Sequence, residues 1–253
     1  MSFLSAEQED FAAHFNGSEV KPGHNEAMMR RVFELRYDVY CRECRFLDAE
    51  DYPNDRESDE YDIQSAHFAA LEHNGGLAGY VRLVRPDAIG TFPFQNHCVE
   101  LLDGVQLPPA FKSAEISRLM VREDFRRRRG DLVTGASAEE NGYSSAIEMR
   151  NRSPQILLTM YREMYAHSVH NGIRYWYAAM ERSLARALAS MNFGFRKIGP
   201  ATNYYGPVTP YVADLRELEA GLRQCNPALL AWMQRPTTNQ SHDEPAFSSS
   251  QSC

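Results

Sequence analysis

The sequence predicts a mixed α/β fold: one central sheet, partly antiparallel and partly parallel, flanked by helices. Three observations carry this. A helical pattern opens the folded part, a pair of β-type runs joined by Asn74-Gly75-Gly76 comes next, and the second half alternates strand, helix, strand, helix, strand. Antiparallel strands succeeded by β-α-β-α-β suit a mixed sheet covered by helices. The 253 residues, 43% hydrophobic and 11% aromatic, supply material for one core,.

Residues 1–24 form an N-terminal segment with a helix expected near Ser5–His14 and a short strand around Val20. The single folded domain is expected over 25–234. From Asn25, Met28, Val32, Leu35 and Val39 recur at three- and four-residue steps, which predicts a helix to about Cys44,. The acidic stretch 47–65 has no period and reads as a long loop,. His67–Glu72 and Leu77–Val84 read as a hairpin, since N-G-G between β-type runs is a turn signal,. A stretch punctuated by Pro and Gly leads to a strand at Ser113–Val121. Residues 122–152, rich in charge and small residues, read as an insertion. Ser153-Pro154 then opens a helix to about His170, with Ser as N-cap and Pro in the first turn,. A strand at Arg174–Met180, a helix at Ser183–Met191, a strand region from Gly194 to Tyr211, and helices at Asp214–Gln224 and Pro227–Gln234 complete the domain. The polar tail 235–253 lacks the apolar content to bury a core,.

Composition excludes several classes. A net charge of −7 and a pI near 5.6 oppose a general nucleic-acid binder,. No run approaches the roughly 20 apolar residues of a membrane span,. The start, MSFLSAEQEDF, carries acids where a signal peptide carries positive charge, so a cytoplasmic location is expected,. Five scattered cysteines are not a disulfide framework. Cys41-x-x-Cys44 lacks a second pair to complete a zinc site and reads as two helix cysteines, as His167 and His170 read as a helix face,. No metal is expected.

Charge concentrates in three segments where a core would exclude it: ELRYDVYCRECRF with Arg36, Tyr40 and Phe46; ESDEYD with Glu57, Asp59 and Asp62; and AEISRLMV with Glu115 and Arg118, beside Arg82 in YVRLV. Spacing alone allows two readings. One is a solvated loop with a surface ladder of opposite charges across strands. The other is an electrostatic cluster at one end of the sheet, able to shift pKa values and deprotonate an amine.

Together the segments resemble the acyl-homoserine-lactone synthases, whose pattern reads R-x3-F-x5-W, E-x-D-x2-D, a strand Arg, and E-x2-R. Arg36, Tyr40 and Phe46 stand in the first group, with aromatic replacements at the last two; Glu57, Asp59 and Asp62, then Arg82, then Glu115 and Arg118 match the rest. The chain is still more similar to acyltransferases found with bacterial exosortase and PEP-CTERM sorting systems and to N-acyl amino acid synthases. The resemblance spans about residues 28–212. It implies a GNAT N-acyltransferase fold in which a pantetheine arm enters between Ser113–Val121 and Arg174–Met180. An amine would attack the thioester directly, with Glu115 or Glu57 as base, and Arg82 and Arg118 would hold the acidic loop and bind an acceptor carboxylate.

For the donor, Arg127-x-x-Gly130 is present, but Leu132 stands where a phosphate-cradling loop needs a small residue,. An acyl carrier protein bearing acyl-phosphopantetheine is therefore favoured over acyl-coenzyme A. Arg126, Arg127, Arg128, Arg129, Arg150 and Arg152 offer it a basic dock, although an arginine run also reads as a solvated loop,. Tyr175, Trp176, Tyr177 and Leu157–Met160 could line an acyl tunnel or fill the core. The expected activity is transfer of a long-chain fatty acyl group to an amino acid or similar small amine. The alternatives are an autoinducer synthase that also lactonises S-adenosylmethionine, and a non-catalytic GNAT-like module that binds a carrier or sorting partner.

Overall fold

The structure, a computed structural model, describes residues 11–126 and 153–237. Strand β1 (Phe15–Glu19) precedes helix α1 (Glu26–Tyr37), whose first turn is capped by the Asn25 side chain accepting from the Met28 N–H,. Then come β2 (Ser65–Glu72), β3 (Leu77–Val84), β4 (Ser113–Val121), α2 (Ser153–His170), β5 (Tyr175–Met180) and α3 (Arg182–Ser190). Short strands β6 (Arg196–Lys197) and β7 (Thr202–Asn203) lead to β8 (Pro207–Asp214), α4 (Leu215–Cys225) and α5 (Pro227–Met233).

The sheet runs β1-β2-β3-β4-β5-β8-β6, with β7 pairing on β8. Every pairing is antiparallel except β4 with β5. This is the mixed sheet flanked by helices that the sequence predicts. The first strand lies ahead of residue 25, so the sheet recruits part of the N-terminal segment. The helix expected at 5–14 falls largely outside the described residues, and 11–14 form a turn. The strand region expected from Gly194 to Tyr211 divides into β6, β7 and the start of β8, and Tyr205 and Gly206 turn the chain between β7 and β8 at positive φ (52° and 99°),.

Every residue of β3 is buried, because both sheet faces are covered. Val32, Leu35 and Val39 pack with Ala69 and Tyr80 on one face. Ile156, Met160 and Met164 of α2 pack with Ala70, Val81 and Leu83 on the other. Gly79 lets α2 approach closely: a Cβ there would lie 2.6 Å from Ile156 Cγ2 and 3.1 Å from the Met120 carbonyl oxygen. Gly79→Ala is therefore expected to destabilise the fold by about 1–3 kcal/mol in urea denaturation, as overpacking does.

Candidate active site

The helix expected to continue to Cys44 changes pitch. Asp38–Glu43 form a π-helical turn in which the Cys44 N–H reaches back to the Val39 carbonyl. One extra residue per turn rotates the next side chains by roughly 100° relative to α1. Arg36, before the wide turn, stays buried in the domain, while Tyr40 lines a cavity. Cys41 is buried and Cys44 lines the same cavity. Among the described residues, no group of three or more His, Cys, Asp or Glu side chains is placed to hold a metal.

The acidic loop is folded by its own carboxylates. Asp59 accepts from the Tyr61 N–H and Asp62 from the Asp59 N–H, a reciprocal cap on the 3₁₀ turn Glu60–Gln64,. The Glu57 N–H donates to the Phe33 carbonyl at 3.0 Å and ties the loop to α1. This delivers three carboxylates to three arginines. Arg36 donates from Nε to Glu57 and from Nη1 to Asp62, both at 2.6 Å. Arg82 bonds to both Asp59 oxygens at 2.6 and 2.7 Å, and to Asp62 at 2.6 Å. Arg118 holds Glu57 through Nε and Nη2 (3.2 and 3.1 Å) and Asp59 at 3.0 Å. Arg36, Glu57 and Arg82 are no more than 1% exposed, which rules out the surface ladder. Burial opposes ionisation of Glu57 and Asp62, but the arginines outweigh it and hold both carboxyls below the usual range,.

Behind this network, the His67 imidazole lies 2.7 Å from the Tyr80 hydroxyl and 3.1 Å from the Asp62 carbonyl. Burial lowers the His67 pKa. A neutral ring that donates from Nε2 to the carbonyl and accepts a hydrogen bond from the Tyr80 hydroxyl at Nδ1 satisfies both contacts,.

Glu115 stands apart from these exchanges. It is 2% exposed and forms no ion pair among the described residues. Its Oε2 accepts one hydrogen bond, from the Phe94 N–H at 2.9 Å. Burial pushes its pKa up to about 7, and the Phe94 N–H, Arg82 and Arg118 offset only part of that rise. Arg118 adopts φ +53° where the β3–β4 register slips between Tyr80 and Arg82, an extra residue in β4,. Its guanidinium packs on Tyr40 (4.6 Å) and Tyr205 (5.7 Å),.

The parallel pairing of β4 with β5 ends at Ile116↔Ala178. Beyond it, Ser117–Val121 and Ala179–Met180 line opposite sides of a cavity of about 470 Å³, which takes in Glu115 and Arg118. Tyr40, Phe46 and Tyr205 form one wall, their ring centroids 5.7–6.0 Å apart. Tyr204 extends that wall and stacks on His97 at 3.9 Å. Leu157, Tyr161 and Leu184 line it from the helices.

Arg36, Glu57, Asp59, Asp62, Arg82, Glu115, Arg118, Tyr40 and Phe46 thus lie together in the buried network and along the cavity beside it. Of the expected tunnel residues, Leu157 lines the cavity. Trp176 lies in the core, where its indole N–H donates to Ser168 Oγ, and Tyr177 packs on Phe92 and Phe94. Arg126 reaches the cavity and is bonded to Glu43. Arg127, Arg128, Arg129, Arg150 and Arg152 lie outside the described residues. Sequence reasoning missed the Phe94 N–H, Tyr204 and Tyr205. The aromatic pair beside a glycine in NYYGPV was the available signal for the last two.

Residues 35–135 match a family model described as an acetyltransferase (GNAT) domain. The overall architecture recurs in solved structures of low sequence identity. One is the CoA-dependent acyl-homoserine lactone synthase BjaI with SAM and isopentyl-CoA (TM-score 0.56, 19% identity, 83% of this chain and 88% of that one). Others are the AHL synthase LasI (0.57, 18%, 82% and 96%) and TofI in a ternary complex with an inhibitor and MTA (0.57, 16%, 85% and 99%). Among curated proteins, none matches the chain in sequence.

Removing one member of the buried network leaves its partners uncompensated. Glu57→Gln is expected to cost about 3–5 kcal/mol in urea denaturation. Glu57 and Asp62 ionise more readily folded than unfolded, so their contribution is complete above the unfolded pKa. It is lost as pH falls through the depressed folded values, and the wild-type urea midpoint should drop on acidification below about pH 4,.

Proposed function

We propose that this chain is an N-acyltransferase that moves a fatty acyl group from a phosphopantetheine thioester to the amino group of an amino acid or similar small amine. The observation that carries the reading is Glu115: a buried carboxyl with no cationic partner among the described residues, on the wall of a cavity opened by two diverging strands. Its pKa of about 7 suits a general base near neutral pH,. Glu57, the rival base, is held as an anion by Arg36 and Arg118 and serves as scaffold.

In the reaction the amine nitrogen attacks the thioester carbonyl and Glu115 takes its proton, directly or through water. The C–N bond forms, the C–S bond breaks, and the thiolate leaves with the pantetheine arm. Backbone N–H groups of β4 beyond the last β5 pairing are suited to stabilise the oxyanion,. Both terminal nitrogens of Arg82 are committed to Asp59 and Asp62, which leaves the acceptor carboxylate to Arg118. Its Nη1 makes no hydrogen bond among the described residues,. The likeness of the motifs to N-acyl amino acid synthases and exosortase-associated acyltransferases supports an amino-acid acceptor. The arginine run beginning at Arg126 and the incomplete glycine loop support an acyl carrier protein as donor.

Incubation with long-chain acyl-carrier protein or acyl-coenzyme A and an amino-acid mixture, followed by mass spectrometry, tests this. N-acyl amino acid should form faster from the carrier protein. No acylated product from either donor, with S-adenosylmethionine also supplied, would sink the reading. Wild-type kcat/KM should rise with pH to a plateau with a midpoint near 7. Glu115→Gln should lose about 10²–10⁴-fold in kcat.

The same substitution has an opposite effect on stability. A carboxyl whose folded pKa is raised favours the fold at low pH, and stability falls as pH climbs from the unfolded value toward 7. Glu115→Gln should therefore melt at a higher temperature than wild type at pH 8, measured by scanning calorimetry.

A further inference from the structure

On the far side of the sheet from α1, a second cavity of about 760 Å³ lies against β1, α2 and the residues after α5. Its volume falls within the usual range of small-molecule sites. Glu163, on the buried face of α2, lines it while only 6% exposed. Glu163 accepts no hydrogen bond and joins no ion pair among the described residues. The fold makes room for this side chain. A Cβ at Gly17 of β1 would lie 2.5 Å from Glu163 Cγ and Oε1, so the carboxyl lies against a bare stretch of strand,. Glycine weakens a strand interior, and here it admits an acid without a counter-ion.

Of the other charged or titratable groups lining the cavity, Lys21, His170 and the Arg235 side chain join no ion pair among the described residues, with Glu163 or with any other group. Glu19 is paired with His167 at 3.3 Å, and His167, Lys21 and His170 together hold its carboxyl low against the opposing effect of burial. The Arg235 carbonyl accepts from Arg162, which precedes Glu163 on α2. Burial raises the Glu163 pKa to about 7, Arg162 draws it down and Glu19 adds to the rise. Phe68, Val169 and Met233 give the cavity apolar wall, and Asn171 and Gln234 give it amides.

We propose that this cavity binds an organic ammonium ion with an apolar body, for which the Glu163 carboxylate is the counter-ion. The ligand would supply the positive charge that the protein withholds from Glu163, and its carbon skeleton would lie on Phe68, Val169 and Met233. The site is separate from the Glu115 cavity and does not depend on acyl transfer.

Isothermal titration of the full chain with phenethylammonium, set against neutral phenethyl alcohol, tests the assignment. Wild type should bind the ammonium and not the alcohol, more tightly at pH 8 than at pH 6 as Glu163 ionises. Glu163→Gln, checked for native circular dichroism, should weaken binding at least about tenfold, and Glu163→Asp should retain part of it. Failure of wild type to bind phenethylammonium at pH 8, equal binding of the alcohol, or unchanged affinity in Glu163→Gln would each overturn the proposal. Should Glu163→Gln not fold, the ammonium-against-alcohol contrast and the pH dependence of wild type still decide it.

Discussion

Three arginines and three carboxylates close on one another inside this domain, and the balance of that network governs the chemistry beside it. Arg36, Arg82 and Arg118 come from α1, β3 and β4, while Glu57, Asp59 and Asp62 come from a single loop. Desolvating six charges is expensive, and their mutual attraction does little more than offset it. The return is geometric: a helix, two strands and an acidic loop are held in one arrangement. Because each arginine is engaged by these carboxylates, a seventh ionisable group, Glu115, has among the described residues a backbone N–H as its one hydrogen-bond donor and no ion pair. A carboxyl ordinarily settled as an anion becomes one that can exchange a proton near neutral pH.

Arg118 links this network to the cavity. The extra residue in β4 forces it into a left-handed conformation that few non-glycine residues adopt, at a cost of order 1–3 kcal/mol,. In return its side chain reaches Glu57 and Asp59 on one side and the rings of Tyr40 and Tyr205 on another. The irregularity falls just beyond Ile116↔Ala178, the last pairing of the parallel β4–β5 pair. There the β4 backbone is released from β5, and a substrate can approach it. Strain, strand divergence and the unpartnered acid therefore sit within one short stretch of chain.

Much of this was legible in the sequence. Apolar periodicity located α1, N-G-G located the β2–β3 hairpin, and Ser153-Pro154 located the start of α2. Arg82, Glu115 and Arg118 stood out because charges inside β-type runs are anomalous, and Arg36, Glu57, Asp59 and Asp62 through the spacing of their motifs. Periodicity does not reveal a change of helical pitch, so the π turn at Asp38–Glu43 went unread. Which carboxylate would lack a partner also depends on distances: Glu57 and Glu115 look equivalent as letters, and only the folded loop separates them. Phe94 contributes a backbone N–H, which no side-chain pattern can announce. Tyr205 joins the site through a turn closed by Gly206, nearly ninety positions from Arg118 in sequence. The buried acid Glu163 was invisible for a related reason, since its environment is set by a glycine on a different element.

The most direct measurement is the titration of the Glu115 carboxyl itself, followed by carbon-detected NMR with assignment by Glu115→Gln. A midpoint near 7 is expected if the arginines pair with Glu57, Asp59 and Asp62 rather than with Glu115. A midpoint at or below the ordinary glutamate value of 4.5 would mean that an arginine answers Glu115 after all, and would contradict the division of roles between scaffold and base.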